Sequence, residues 1–261
     1  MSLSWIGAEV SAEQKSLNVI VYAPALAGGE RRPLTLAQGM ERALPGLRLE
    51  WTTSEKDVLI ALPDRDQGIA TDKANGGFFF LCNDDENHPV TLSGWENPDG
   101  LAAGGPPHFQ VSASLPLDAV GLAAAVDVLA AVGEGARAIW GLASPDGYSG
   151  VVAQQFRRQG DTPRVPPYGL PSLERPRDNP APEFPHYLGW LNYWSAAAAR
   201  AIGFPDPARD AEWLVRSRPT ATGGWVVRLT EAPLDLDDPT HLDALKRAYA
   251  RFPEIGGRST P

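Results

Sequence analysis

The sequence predicts an α+β fold in which helices pack on a mixed or antiparallel sheet. Three observations carry this expectation. His108–Leu115 alternates Phe109, Val111, Ala113 and Leu115 against Gln110, Ser112 and Ser114, the two-residue period of a strand with one buried face. Leu117–Val132 is an apolar, alanine-rich helix with Asp118 near its start, where a carboxylate suits the helix dipole; its small side chains predict close packing on a sheet. The order along the chain is strand, helix, strands, then strand, helix, strand, which fits an α+β arrangement. The expected organisation is one domain, 1–261, or two intimately packed and similar halves, 1–142 and 184–254, joined by the proline-rich segment 160–185. No internal repeat accompanies the two halves.

Taken in order, Leu17–Tyr22 reads as a strand closed by Pro24 and the Gly28-Gly29 turn. Pro33–Leu44 follows as a helix with Leu36, Met40 and Leu44 on one face, stopped by Pro45-Gly46. Leu47–Thr52 reads as a strand, whereas Ser54–Leu62 suits either period. After the Asn75-Gly76-Gly77 turn, Gly77–Cys82 reads as a buried strand, followed by the acidic loop Asp84-Asp85-Glu86 and a short strand at Val90–Leu92. Gly94–Pro107, with Trp95 and Gly104-Gly105-Pro106-Pro107, reads as a loop.

Beyond the alanine helix, Arg137–Leu142 is a strand and Tyr148–Gln159 a helix with Phe156 inward. Gly160–Pro185 is a proline-stiffened loop or linker with Tyr168, Leu170, Leu173 and Phe184 as anchors. Ser195 caps the helix Ala196–Ile202, which ends at Gly203. Pro207–Leu214 is a further helix, and Trp225–Thr230 a half-buried strand. The last helix is Thr240–Arg251, initiated by Asp237-Asp238-Pro239 and followed by a frayed tail from Gly256.

The totals narrow the function classes. With 261 residues the chain can bury a substantial core, and its 26 glycines and 25 prolines fall between periodic segments as turns and loops. Residues 1–130 hold 8 basic and 17 acidic groups while residues 131–261 hold 15 of each, so the net charge of −9 lies in the first half. Such a surface argues against direct nucleic-acid binding, which needs a basic patch, and suits both ordinary solubility and a basic protein partner. Cys82, the only cysteine, excludes an internal disulfide and favours a reducing compartment. The start of the sequence lacks a signal-peptide pattern. Its most apolar window, Leu115–Val132, is broken by Pro116, Asp118, Gly121 and Asp127, so the expectation is a cytoplasmic chain with no membrane span.

No catalytic, cofactor or metal motif emerges. The histidines at 88, 108, 186 and 241 lack zinc-ligand spacing, and the glycine pairs lack the context of a phosphate loop. Ser149 and Ser195 do not sit in a nucleophile elbow. Cys82 follows three phenylalanines, where burial makes a thiol inert. Asp84, Asp85 and Glu86 are adjacent rather than alternating, so they do not make a calcium loop; they form a solvated turn or contact a basic partner. Trp190, Tyr193, Trp194 and Trp225 form an aromatic motif that reads as structural. On a helix Trp190 and Trp194 would share a face with Ala197; on a strand they would share one face and Tyr193 would oppose them, and both geometries allow core anchoring.

The run Leu188-Gly189-Trp190-Leu191-Asn192-Tyr193-Trp194-Ser195, together with Gly224-Trp225-Val226-Val227 and the Asp235–His241 turn, resembles the immunity protein 52 family of bacterial polymorphic toxin systems, or an uncharacterised bacterial family related to it. The likeness covers mainly residues 184–252, about a quarter of the chain. It implies a non-enzymatic α+β inhibitor without cofactor or metal, bound tightly to a cognate toxin that in this family is often a predicted nuclease. The acidic first half would face the toxin's basic cleft, with Asp84, Asp85, Glu86 and Trp95 as candidate partner-binding residues. Two other classes stay open: an enzyme whose carboxylate–histidine site is assembled from distant residues, and a housekeeping protein-binding domain. The oligomeric state is not legible.

Overall fold

The most regular alternation in the chain becomes the middle of its sheet. In β1 (Ser16–Pro24) Leu17, Val19, Val21 and Ala23 are fully buried, while the residues between them stay partly exposed. In the computed structural model, residues 16–27, 31–54, 58–74, 79–97, 107–156, 165–179 and 181–258 are described. The turns expected at Gly28-Gly29, Asn75-Gly76-Gly77 and Gly104-Gly105-Pro106, and the start of the proline-rich segment, lie outside these residues.

The other strands are β2 (Trp51–Thr53), β3 (Leu59–Ala61), β4 (Phe79–Cys82), β5 (Thr91–Asn97), β6 (His108–Pro116), β7 (Trp140–Pro145), β8 (Leu191–Trp194), β9 (Arg218–Pro219) and β10 (Trp225–Arg228). They form one ten-stranded sheet in the order β3-β2-β4-β5-β6-β1-β7-β8-β10-β9. Every pairing in it is antiparallel. The fold is therefore α+β, as the periodicities predict, and strands from both ends of the chain share the sheet.

The helices are α1 (Arg32–Ala43), α2 (Arg65–Ala74), α3 (Ala119–Ala136), α4 (Tyr148–Gln155), α5 (Ala196–Ala201), α6 (Ala211–Leu214) and α7 (Pro239–Arg251). Asp118 caps α3 by accepting from the Gly121 N–H at 2.8 Å. This helix is long and apolar enough to cross a membrane, but here it crosses the sheet over β1, β6, β7, β8 and β10, with α1 beside it. Close approach needs small residues: a Cβ on Gly133 would stand 2.8 Å from the Tyr193 ring. Arg32 ties α1 to both neighbours, donating to the carbonyls of Pro24, Ala25 and Ala136 at 2.8, 2.7 and 3.0 Å. The last of these is a carbonyl at the C-terminus of α3, where a cation is favoured.

Several expectations are corrected. Leu47 and Leu49 are buried but not strand; only Trp51–Thr53 joins the ladder. Trp95 is not in a loop: β5 runs through it to Asn97, paired with β6. The strand expected from Arg137 begins at Trp140, because α3 runs on to Ala136 and Arg137 ends it in a left-handed conformation (φ 54°). The helix expected over 207–214 is only Ala211–Leu214. The tail is not frayed through Arg258. Gly256 donates to the Pro185 carbonyl and accepts from the Glu174 N–H, both at 2.8 Å, and Arg258 donates to the carbonyls of Tyr249, Phe252 and Ile255 at the end of α7. α2 and β9 were not legible in the sequence pattern.

Candidate partner-binding face

Antiparallel register sets residues that face one another on the same side of the sheet. One such row reads Trp95, Gln110, Tyr22, Trp140, Trp194 and Trp225 across β5, β6, β1, β7, β8 and β10. The adjacent row contains Val111, Val21, Gly141 and Tyr193, whose ring meets Gly133 of α3. The tryptophan row therefore lies on the face opposite α3.

That opposite face has two environments. Over β8 and β10 it is covered: Trp194 is fully buried, edge-on to Phe204 at 5.1 Å and to Phe252 at 5.2 Å. Trp190 is buried, its indole N–H donating to the Thr230 carbonyl at 2.9 Å, and half-buried Trp225 meets Phe204 at 5.4 Å. The aromatic motif thus builds the core of the second half, with Tyr193 on the α3 side as strand alternation requires. Over β1, β6 and β5 the same face is half-exposed and polar. Asn18 and Ile20 stand on β1, Gln110, Ser112 and Ser114 on β6, and Thr91, Ser93 and Trp95 on β5.

The step between these environments is aromatic. Tyr22 stacks on Trp140 at 4.2 Å, and both lie close to His186, at 5.4 and 4.7 Å; Tyr22 also reaches His108 at 5.8 Å. The fold thus brings together two histidines that sequence spacing kept apart. Burial pushes the Tyr22 hydroxyl up to about 12, offset in part by its hydrogen bond to Tyr187. Burial, and then the nearby His108 ring, pulls His186 down to about 3, so its imidazole is neutral at physiological pH. What shifts His186 is burial first and the second imidazole next.

The acidic residues lie at the β4–β5 turn, where Asp84, Asp85 and Glu86 are all exposed. Asp85 holds the turn, accepting from the backbone N–H groups of Asn87 at 2.9 Å and His88 at 3.0 Å. Those bonds, His88 first, keep its carboxyl below the usual range. The Cys82 thiol behind the turn is buried and raised by that burial and by the charge on Asp84. Trp95 stands four residues beyond Thr91 on β5, roughly 14 Å from the turn along the strand. The turn and the tryptophan are therefore separate points along one strand at the edge of the polar face. Among the described residues, no group of three or more His, Cys, Asp or Glu is placed to hold a metal ion.

An antiparallel sheet with a helix layer on one side and a half-open polar area on the other defines an α+β protein. The chain belongs to the family described as "Domain of unknown function (DUF5953)", which matches residues 28–260. Among solved structures it is similar to "Pseudomonas aeruginosa T6SS protein PA0821", with a TM-score of 0.53 and 14% identity over 92% of this chain and 73% of that one. At that identity the likeness is one of fold. No curated protein matches the sequence.

Proposed function

We propose that this protein is an immunity-type component of a bacterial toxin system, binding a cognate toxin and neutralising it by direct protein–protein contact. The carrying observation is the exposed acidic turn Asp84–Glu86 at one end of the half-open polar face of β5, β6 and β1. The covered part of that face is occupied by the second half's own aromatic residues, so the reading puts the partner on the acidic first half. A cluster of negative charge beside a wide polar surface speeds encounter with a basic protein, while half-buried residues such as Trp95 supply contact area that slows dissociation. The fold likeness to a T6SS protein is compatible with this reading, and the resemblance of Leu188–Ser195 to an immunity family motivates it. A nuclease toxin suits it best, since its nucleic-acid cleft is basic.

The experiment is co-expression. Where a toxin-like protein is encoded beside this gene, it is induced in a heterologous host with and without this chain. Restored growth together with a co-purifying complex is the expected result. Growth arrest despite abundant soluble protein would count against the reading.

A further inference from the structure

The two edges of the sheet differ in how they meet solvent. At one edge β9 is Arg218-Pro219, whose proline has no N–H to offer and whose arginine is drawn to Asp127 at 2.6 Å. Proline and charge are the usual devices that stop an edge strand from recruiting another. At the other edge β3 is Leu59-Ile60-Ala61, with neither device, and Val58, Leu59 and Ile60 are 60%, 37% and 45% exposed. The β2–β3 hairpin is joined to β4 through the register pair Trp51–Cys82.

The hydrogen bonds fix which backbone groups face outward. Ser54 N–H donates to the Val58 carbonyl at 2.9 Å and Leu62 N–H to the Glu50 carbonyl at 2.7 Å, with Thr52 opposite Ile60 between them. Val58, Ile60 and Leu62 therefore turn their polar groups toward β2. In an antiparallel ladder the alternate residues, Leu59 and Ala61, turn theirs away. We propose that this edge docks a second copy of the same chain, strand β3 pairing antiparallel with its counterpart about a two-fold axis at Ile60.

The edge is self-complementary under that axis. Leu59 falls opposite Ala61 of the second copy and Ala61 opposite its Leu59, so each outward N–H meets a carbonyl. Ile60 meets its own counterpart in the close, non-hydrogen-bonded position, where β-branched side chains pack well. Residues 58–63 carry no charge, so two chains of net charge −9 can approach here without like charges directly opposed. A three-residue edge buries far less than the roughly 800 Å² per partner of a standard stable interface, so the dimer is weak and concentration-dependent. It stands independently of the toxin-binding reading.

Sedimentation equilibrium on the full chain, from micromolar to near-millimolar concentration, tests this. The wild type should rise in mean mass toward twice its 28.0 kDa. Ala61→Pro deletes one outward N–H while sparing the ladder to β2, and Ile60→Lys places like charges at the axis. Both should stay monomeric, with unchanged circular dichroism and melting temperature. Hydrogen exchange gives a second readout: the Leu59 and Ala61 amides should gain protection only at high concentration, and the Leu62 amide should be protected throughout. A wild type that stays monomeric, or an Ala61→Pro variant that associates equally well, would overturn the proposal. So would a monomer whose β3 amides become protected only in complex with a different protein.

Discussion

Tyr22 on β1 and Trp140 on β7 face each other in register, and their rings stack with centroids 4.2 Å apart. This pair is the joint of the molecule. On one side of it the tryptophan row is sealed in the core; on the other the same row continues onto a half-open polar face. Removing Trp140, which is 2% exposed, should leave a cavity beside Tyr22 and His186 and destabilise the fold. Trp140→Ala is expected to cost about 3–5 kcal/mol in urea denaturation. A loss below 1 kcal/mol would show that the joint is not packed as described.

Asp210 is completely buried and takes two bonds from Arg251, at 2.6 Å from Nε and 3.1 Å from Nη2, while also accepting the Asp206 N–H at 2.7 Å. The pair pins the end of α7 to the start of α6. Breaking one side strands a buried charge, so Asp210→Ala should destabilise by about 3–5 kcal/mol. The double variant Asp210→Leu with Arg251→Met should recover much of that loss. Equilibrium unfolding of both variants checks the difference, and equal stability of the single and double variants would contradict it.

His186 makes the fold acid-sensitive in a defined direction. Its folded value of about 3 lies below the ordinary value of 6.5, so the unfolded chain takes up the proton first as pH falls. Its contribution is full above about pH 6.5 and drains away as pH drops toward 3. From pH 7 to pH 5 that amounts to about 2 kcal/mol. His186→Gln should remove this slope, whatever it does to stability at pH 7. An identical pH dependence in the variant would show that the ring titrates normally.

What the sequence revealed, and what it hid, follows from where the determinants lie. β1, β6 and α3 are legible because burial on one face imposes a period and Asp118 marks the helix start. α2 is hidden because Arg65–Ala74 is mostly polar, with Ile69 a buried anchor. Gly94 disguised β5 as a loop; in the sheet it lies opposite Phe79 and Val111. The acidic turn was visible as composition, but Asp85's role in holding it depends on backbone N–H groups that no motif announces. The meeting of His108, His186 and Tyr22 is tertiary, produced by sheet register and by the wrap of the segment before β8. Cross-strand rows become readable only once strand order is known.

The central claim, that the acidic end of the polar face receives a basic partner, is tested most directly by association kinetics. Asp85 should be left intact because it holds the turn, and Asp84→Lys with Glu86→Lys made together. Stopped-flow binding to a toxin that this chain neutralises in co-expression should show association slowed by roughly tenfold at low salt. The two proteins should converge at high salt, where the charges are screened. An association rate for the variant equal to that of the wild type at low salt would contradict the account.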